Sequence, residues 1–460
     1  MDPFANLPPE IQATIFAHLS STTTKLQLIQ ASPCMLAQYL ECQASTMGDW
    51  LVNLLSGNRY EDIIQDAMAI IHLDMTAIAP DNHVIAYHIR QWESKSYPDP
   101  IQRNDRNIIL KLHSFFSRIV MLIEDYISKA TSEHAPMAYI QLPKVSLAAT
   151  GLRWSPECPA LDQKTLDVLT SIERHRLIWA FIKFEILCNF YHPRTYDIGH
   201  TDWHNDLPRT SQSELNTWEK EALHCVYEYI NSVYSTLFAN CYRIRRQNFK
   251  IPCGDLSLNL GCHYFDPVDC CAHRPSWLVK GLPYLGFDLL VHLLDHADST
   301  RYLTCMKQWF YWMSREWEIT VRTTGLDFHL CSSPPNFNDD STSQGQPEYA
   351  LQKRLVSYFG ETLFEDDSNE RYALRQRGWV FFESFRLFPQ DSTFLSAIFH
   401  SRFVDEAHFH GNQHYQDHTL EGASRLSPPI PDVRREVPRC FEYANSRVLT
   451  TFWRHLSAVG

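Results

Sequence analysis

The stretch over residues 161–191 constrains this chain more than any other. It carries Leu166, Leu169, Ile172, Leu177, Trp179, Phe181, Ile182, Phe184 and Leu187, and its second half is apolar nearly all round. A helix with one apolar stripe lies on a surface, whereas one that is apolar on every side must be enclosed by other elements. The rest of the chain should therefore supply helices to wrap it, and the 3.6-residue period recurs throughout. Residues 60–73 place Ile63, Ile64, Ala67, Ile70 and Ile71 on one face. Residues 104–129 do the same with Ile108, Ile109, Leu112, Phe115, Phe116, Ile119 and Leu122. Residues 211–246 open on Ser211-x-x-Glu214, a capping-box pattern, and repeat aromatics at Tyr227, Tyr229, Tyr234 and Phe238.

Residues 284–297, 300–319, 348–365, 369–388 and 441–458 also fit helices. The β-branched stretch at 319–324 is short enough to end a helix. The expected fold is mainly α, with an N-terminal helix hairpin followed by a large helical domain. Proline-rich or polar segments at about 131–162, 194–210, 332–347 and 410–438 read as irregular loops. No repeat of 20–50 residues is present, so solenoids and propellers are not expected.

The hairpin begins at Leu7-Pro8-Pro9-Glu10-Ile11. Asn6 is a candidate cap, Pro8 and Pro9 suit a first helical turn, and Glu10 complements the positive end of the helix dipole. Leu7, Ile11, Ile15 and Leu19 recur every fourth residue, with Phe16 beside them. A polar turn at 20–24 leads to Leu26, Leu28 and Ile29, and that stretch ends at Ser32-Pro33, because a residue before proline is pushed out of the α region. Met35, Leu36, Tyr39 and Leu40 indicate a third turn or helix. A hairpin of this size cannot bury its own apolar faces. It must pack on the rest of the chain or on another protein.

This segment resembles an F-box in the form common among filamentous fungal proteins. The resemblance rests on Leu7-Pro8-Pro9-Glu10-Ile11, Ile15-Phe16, Leu19, Leu26-Gln27-Leu28-Ile29 and Ala31-Ser32-Pro33, and covers residues 4 to about 42. The animal-type pattern ends in a Trp-rich third helix; here Tyr39 stands near that place and the nearest tryptophan is Trp50. The resemblance implies an F-box-like unit at 1–45 that binds a Skp1-type adaptor through Leu7, Pro8, Pro9, Ile11, Ile15, Leu19, Leu28 and Ile29, and through Skp1 a cullin. Residues 46–460 would then hold an unknown protein substrate. Such a subunit is a non-catalytic receptor of a ubiquitin ligase. An F-box-like interaction protein outside ubiquitin ligation is the alternative. A second stretch, Leu374-Arg375-Gln376-Arg377-Gly378-Trp379-Val380-Phe381-Phe382-Glu383 with Arg386-Leu387, is similar to a segment near the end of many such proteins. It implies no activity. Trp379, Phe381, Phe382, Phe385 and Phe388 form an aromatic stripe expected on a buried core helix.

Composition fits an interaction protein of the cytoplasm or nucleus. The net charge is −12, and the densest basic cluster, Arg243-Ile244-Arg245-Arg246, is too small for a nucleic-acid face. Residues 1–20 lack a basic start and a long apolar run, so no secretory leader is expected, and no membrane span is expected either. Thirteen scattered cysteines read as reduced thiols.

Three clusters carry metal-ligand residue types. His200, Asp202, His204 and Asp206 contain the His-x-Asp of a facial triad, which would make the chain a metal-dependent enzyme as a further alternative, but lie in a helical context rather than a β-sandwich. Cys253, Cys262, His263, Cys270, Cys271 and His273 have the donors for zinc but no Cys-x2-Cys knuckle. His400, His408, His410, His414 and His418 lack a carboxylate or thiol framework. Solvated or core-packed loops account for all three, and neither a metal nor another cofactor is expected. No nucleophile triad, Walker loop or dinucleotide fingerprint is present.

Overall fold

In the computed structural model, the described residues are 2–18, 28–56, 60–73, 82–132, 138–139, 141–143, 161–190, 215–243, 282–295 and 369–382. Their helices are α1 (Pro9–His18), α2 (Pro33–Leu55), α3 (Tyr60–His72), α4 (Asn82–Glu93), α5 (Arg106–Ala130), α6 (Ser171–Phe190), α7 (Thr217–Arg243), α8 (Phe287–Asp295) and α9 (Asn369–Gln376). Single 3-10 turns lie at Leu166–Val168 and Leu282–Leu285. No strand occurs among the described residues, and the fold is mainly α.

Helix α6 is the axis of the body. Helices α3, α5 and α7 and the turn at Leu282–Leu285 all pack on it. Leu177, Ile178, Ala180, Phe181, Ile182, Phe184, Ile186, Leu187 and Cys188 are buried, as an all-round apolar helix requires. Core side chains from α2 to α9 form one contiguous cluster around it. Helix α5 lies within two residues of its expected bounds; Asp105 caps it, its carboxylate accepting from Ile108 N at 3.2 Å.

Four expected boundaries are corrected, each by local chemistry that outweighs hydrophobic period. The helix expected from residue 161 starts only at Ser171, because Thr170 and Glu173 form a reciprocal capping box. Glu173 N donates to Thr170 Oγ1 at 3.2 Å, and Thr170 N donates to Glu173 Oε2 at 2.9 Å. The box expected at Ser211 and Glu214 lies outside the described residues; Asn216 and Glu219 form a capping box with bonds of 2.9 and 3.0 Å, and α7 begins at Thr217. Gly286, at φ +82°, separates the turn at Leu282–Leu285 from α8 where one helix was expected.

The helix expected over 369–388 ends at Gln376. Gly378, at φ +65°, closes it: Gly378 N donates to Arg375 O at 3.0 Å and Trp379 N to Leu374 O at 3.2 Å, the Schellman pair. Trp379, Val380, Phe381 and Phe382 follow as a buried turn. The helices expected at 300–319, 348–365 and 441–458, the stretch at 319–324, the loops at 194–210, 332–347 and 410–438, and most of 131–162 lie outside the described residues.

At the N-terminus, Ala31 ends a short helical stretch and Ser32 is extended (φ −136°, ψ 109°), as its place before Pro33 dictates. Helix α1 begins at Pro9 rather than at a cap on Asn6; Pro8 O takes the first bonds, from Ile11 N at 3.0 Å and Gln12 N at 3.1 Å. Helix α2 carries α1 near its start and then runs through residue 45 to pack on α5. Met47, Leu51 and Leu55 at its far end join the body core. One continuous helix thus links hairpin and body.

Candidate functional site

The hairpin's internal polar groups are tied to one another. Asp2 reaches across thirty residues: its Oδ2 accepts from Ser32 Oγ at 2.6 Å and Cys34 N at 3.1 Å, and its Oδ1 from Phe4 N at 2.9 Å. Those bonds, the Ser32 hydroxyl first, hold the Asp2 carboxyl below the usual carboxylate range. Ser32 Oγ in turn accepts from Met35 N at 3.0 Å and caps α2. Gln12, 4 % exposed, is the second tie. Its Nε2 donates to Leu7 O at 2.9 Å and Phe4 O at 3.1 Å and lies 3.2 Å from Cys34 Sγ. Gln12, Asp2 and Ser32 thereby join the first turns to the start of α2.

While Asp2, Gln12 and Ser32 are engaged with one another's segments, several large apolar side chains face out. Ile11 is 48 % exposed, Leu40 50 % and Leu36 39 %. Pro8 and Pro9 are exposed as well, while Leu7, Ile15, Leu28 and Ile29 are half-buried. Leu19 lies outside the described residues. Sequence period placed Leu36 and Leu40 on a helix but not among the site residues. It also missed Gln12, although a lone amide beside Ile11 in an apolar stripe is a signal for a buried tie.

A second polar constellation sits in the body, again across a long separation. Glu221 on α7 is fully buried and both its oxygens are occupied. Oε1 accepts from Arg375 Nε at 2.8 Å and Trp379 Nε1 at 3.3 Å; Oε2 accepts from Arg375 Nη2 and Arg371 Nη2, each at 2.9 Å. Burial pushes the Glu221 carboxyl up, but Arg375, Arg371 and His224 outweigh it and hold it well below the ordinary range. The backbone of the same segment is also bound: Tyr126 Oη donates to Arg375 O at 2.7 Å and Tyr139 Oη to Gln376 O at 2.6 Å. Arg377 donates to Ala130 O at 3.2 Å and to Ser132 O. Beside it, Lys129 is wholly buried, 2.7 Å from Asp125 Oδ2 and over the rings of Tyr139 and Tyr229. With its oxygens saturated and its cations enclosed, this constellation acts as a clamp fixing residues 371–382 to α5 and α7.

No group of three or more His, Cys, Asp or Glu suited to a metal occurs among the described residues. The clusters at His200–Asp206, Cys253–His273 and His400–His418 lie outside them. Among the described residues, no helix is long and apolar enough to cross a membrane. Comparison of the chain with family models, with curated proteins and with solved structures finds no match.

Proposed function

We propose that the N-terminal hairpin is an F-box-like docking element for a Skp1-type adaptor, and that the chain is a substrate receptor of a Skp1–cullin ubiquitin ligase. The observation that carries this reading is the exposure of Ile11, at 48 %, in the middle of the Leu7–Ile15 segment. Leu36 and Leu40 stand exposed on the next helix. A hairpin whose Asp2, Gln12 and Ser32 tie its segments together and which leaves large apolar side chains in water is arranged for a protein partner. The receptor does no bond chemistry. It holds a substrate near a recruited conjugating enzyme and raises effective concentration. Residues 46–460 would carry the substrate, and localisation would follow the ligase, in cytoplasm or nucleus.

Capture by immobilised Skp1 tests the reading. The wild-type chain is expected to be retained, and Ile11→Asp and Leu40→Asp to be lost. Both positions are solvent-exposed, so each variant should keep the wild-type circular dichroism and melting temperature. Equal capture of wild type and variants, or no capture of wild type, refutes the proposal.

A further inference from the structure

A stack of three rings joins α3, α4 and the segment after α4. His72 closes α3, His88 lies in the middle of α4, and Tyr97 is buried in the following loop. The His72 and His88 rings are nearly parallel, with centroids 4.7 Å apart and planes 9° apart. His72 also stacks on Tyr97 at 5.3 Å and 6°. Tyr97 Oη donates to His88 O at 2.9 Å and sits 3.2 Å from His88 Nδ1. Gln65 on α3 fixes the tyrosine backbone from both sides, accepting from Tyr97 N at 3.0 Å and donating to Tyr97 O at 2.8 Å. The middle of α4 is thus held by two imidazoles pressed face to face.

Such a stack is stable only while the rings are neutral. Two imidazolium rings at this separation repel, and both are half-buried. Burial, His88 and Lys111 push His72 down against the opposing pull of Asp105, and burial pushes His88 down. Tyr87 meets His88 edge-on at 5.3 Å. Elsewhere α4 is held by Trp92, whose Nε1 donates to Asp66 Oδ1 at 2.6 Å, with Lys183 at 3.6 Å from that carboxylate. An exposed pair, Lys95 with Asp62, ties the loop to α3 at 2.6 Å.

We propose that His72, His88 and Tyr97 form a proton-sensitive clasp that docks α4 on α3 at neutral pH and releases it on acidification. The docked state binds fewer protons than the open one. Docking is therefore complete above the ordinary histidine range and weakens as pH falls through about 6.5. Release uncovers Ile85 and Ile89, which are buried in the docked state.

Hydrogen exchange of peptides covering residues 82–93, measured on the full chain at pH 7.5 and 5.5 and corrected for intrinsic rate, tests this. Protection is expected to fall ~5-fold or more, because at pH 5.5, about one unit below the ordinary histidine value, protonation of each ring favours the open state by up to ~10-fold, while α6 peptides keep theirs. Asp66→Asn, which keeps an acceptor for Trp92 but cannot titrate, should show the same fall. His72→Gln with His88→Gln should show less than ~2-fold. Unchanged protection in the wild type overturns the proposal, and so does a fall abolished by Asp66→Asn. Should the double variant fail to fold, the imidazole proton signals of the wild type decide. Midpoints for both rings below about 6.5 that coincide with the exchange change support the clasp, and midpoints unrelated to it overturn it.

Discussion

Replacing Glu221 by leucine removes the carboxylate that binds both Arg371 and Arg375 in the clamp and leaves two guanidinium groups, 1 % and 4 % exposed, facing an apolar side chain. Breaking a buried ion pair from one side costs ~3–5 kcal/mol, because the remaining charge stays desolvated. Here three charge-assisted bonds and the Trp379 indole bond go together, so the cost should fall at the upper end of that range, about 5 kcal/mol. The same principle predicts rescue. Combining Glu221→Leu with Arg371→Met and Arg375→Met substitutes apolar bulk for the whole set and should recover most of the loss, to within ~1–2 kcal/mol of wild type.

Urea denaturation followed by tryptophan fluorescence reads this, with Trp379, edge-on to Trp218 at 5.8 Å beside the clamp, among the reporting indoles. A single variant costing under ~1 kcal/mol, or a triple variant as unstable as the single, refutes the assignment of residues 371–382 as an ionic clamp. The contribution is fully present above the ordinary carboxylate range. It is lost only as pH falls through the depressed Glu221 value, well into acid.

Three further outcomes follow from the packing. Glu185, buried beside Asp288 and accepting from Phe287 N at 2.8 Å, has its carboxyl pushed up to about 8, by burial first. The native state keeps a proton that the unfolded chain releases. This group should therefore cost about 1.4 kcal/mol of stability per pH unit as pH rises from the unfolded carboxylate value toward the native one. Urea midpoints at pH 5, 6.5 and 8 should show that slope in the wild type and not in Glu185→Gln; parallel pH profiles contradict it. Gly378→Ala forces a Cβ at φ +65°, 3.0 Å from Phe382 Cε2 and 3.1 Å from Tyr126 Oη. It should lower stability by at least ~1–2 kcal/mol, and an unchanged melting temperature would count against the Schellman closure. Ser32→Ala removes the α2 cap and the Asp2 tie, costing about 1 kcal/mol, and should raise hydrogen exchange in residues 2–18 and 28–41 while sparing α6.

How far the sequence reveals this molecule depends on the distance over which each signal acts. Helix α6 is legible because nine apolar residues on all sides of one helix allow no position but the middle. The break at Ser32-Pro33 is legible because proline acts on its neighbour. The starts of α6 and α7 are set by the reciprocal bonds of Thr170 with Glu173 and of Asn216 with Glu219, which hydrophobic period does not register. The Arg375–Phe382 stretch reads as helix from its aromatic spacing, whereas Gly378 ends the helix and turns the aromatics inward. Glu221 with Arg371 and Arg375, and Asp2 with Ser32, leave no local trace, since each pair is assembled only by folding. At the hairpin, period places Leu7, Ile11 and Ile15 on one stripe without deciding what covers it, and the exposure of Ile11, Leu36 and Leu40 emerges only once α1 is seen on α2.

Calorimetric titration of the purified chain with purified Skp1 decides whether the hairpin docks an adaptor. A one-to-one complex of micromolar affinity or tighter is expected, with the negative heat-capacity change of apolar burial, weakened ~100-fold or more by Ile11→Asp, the loss expected of a central interface anchor. No binding by the wild-type chain, or equal binding by Ile11→Asp, would contradict it.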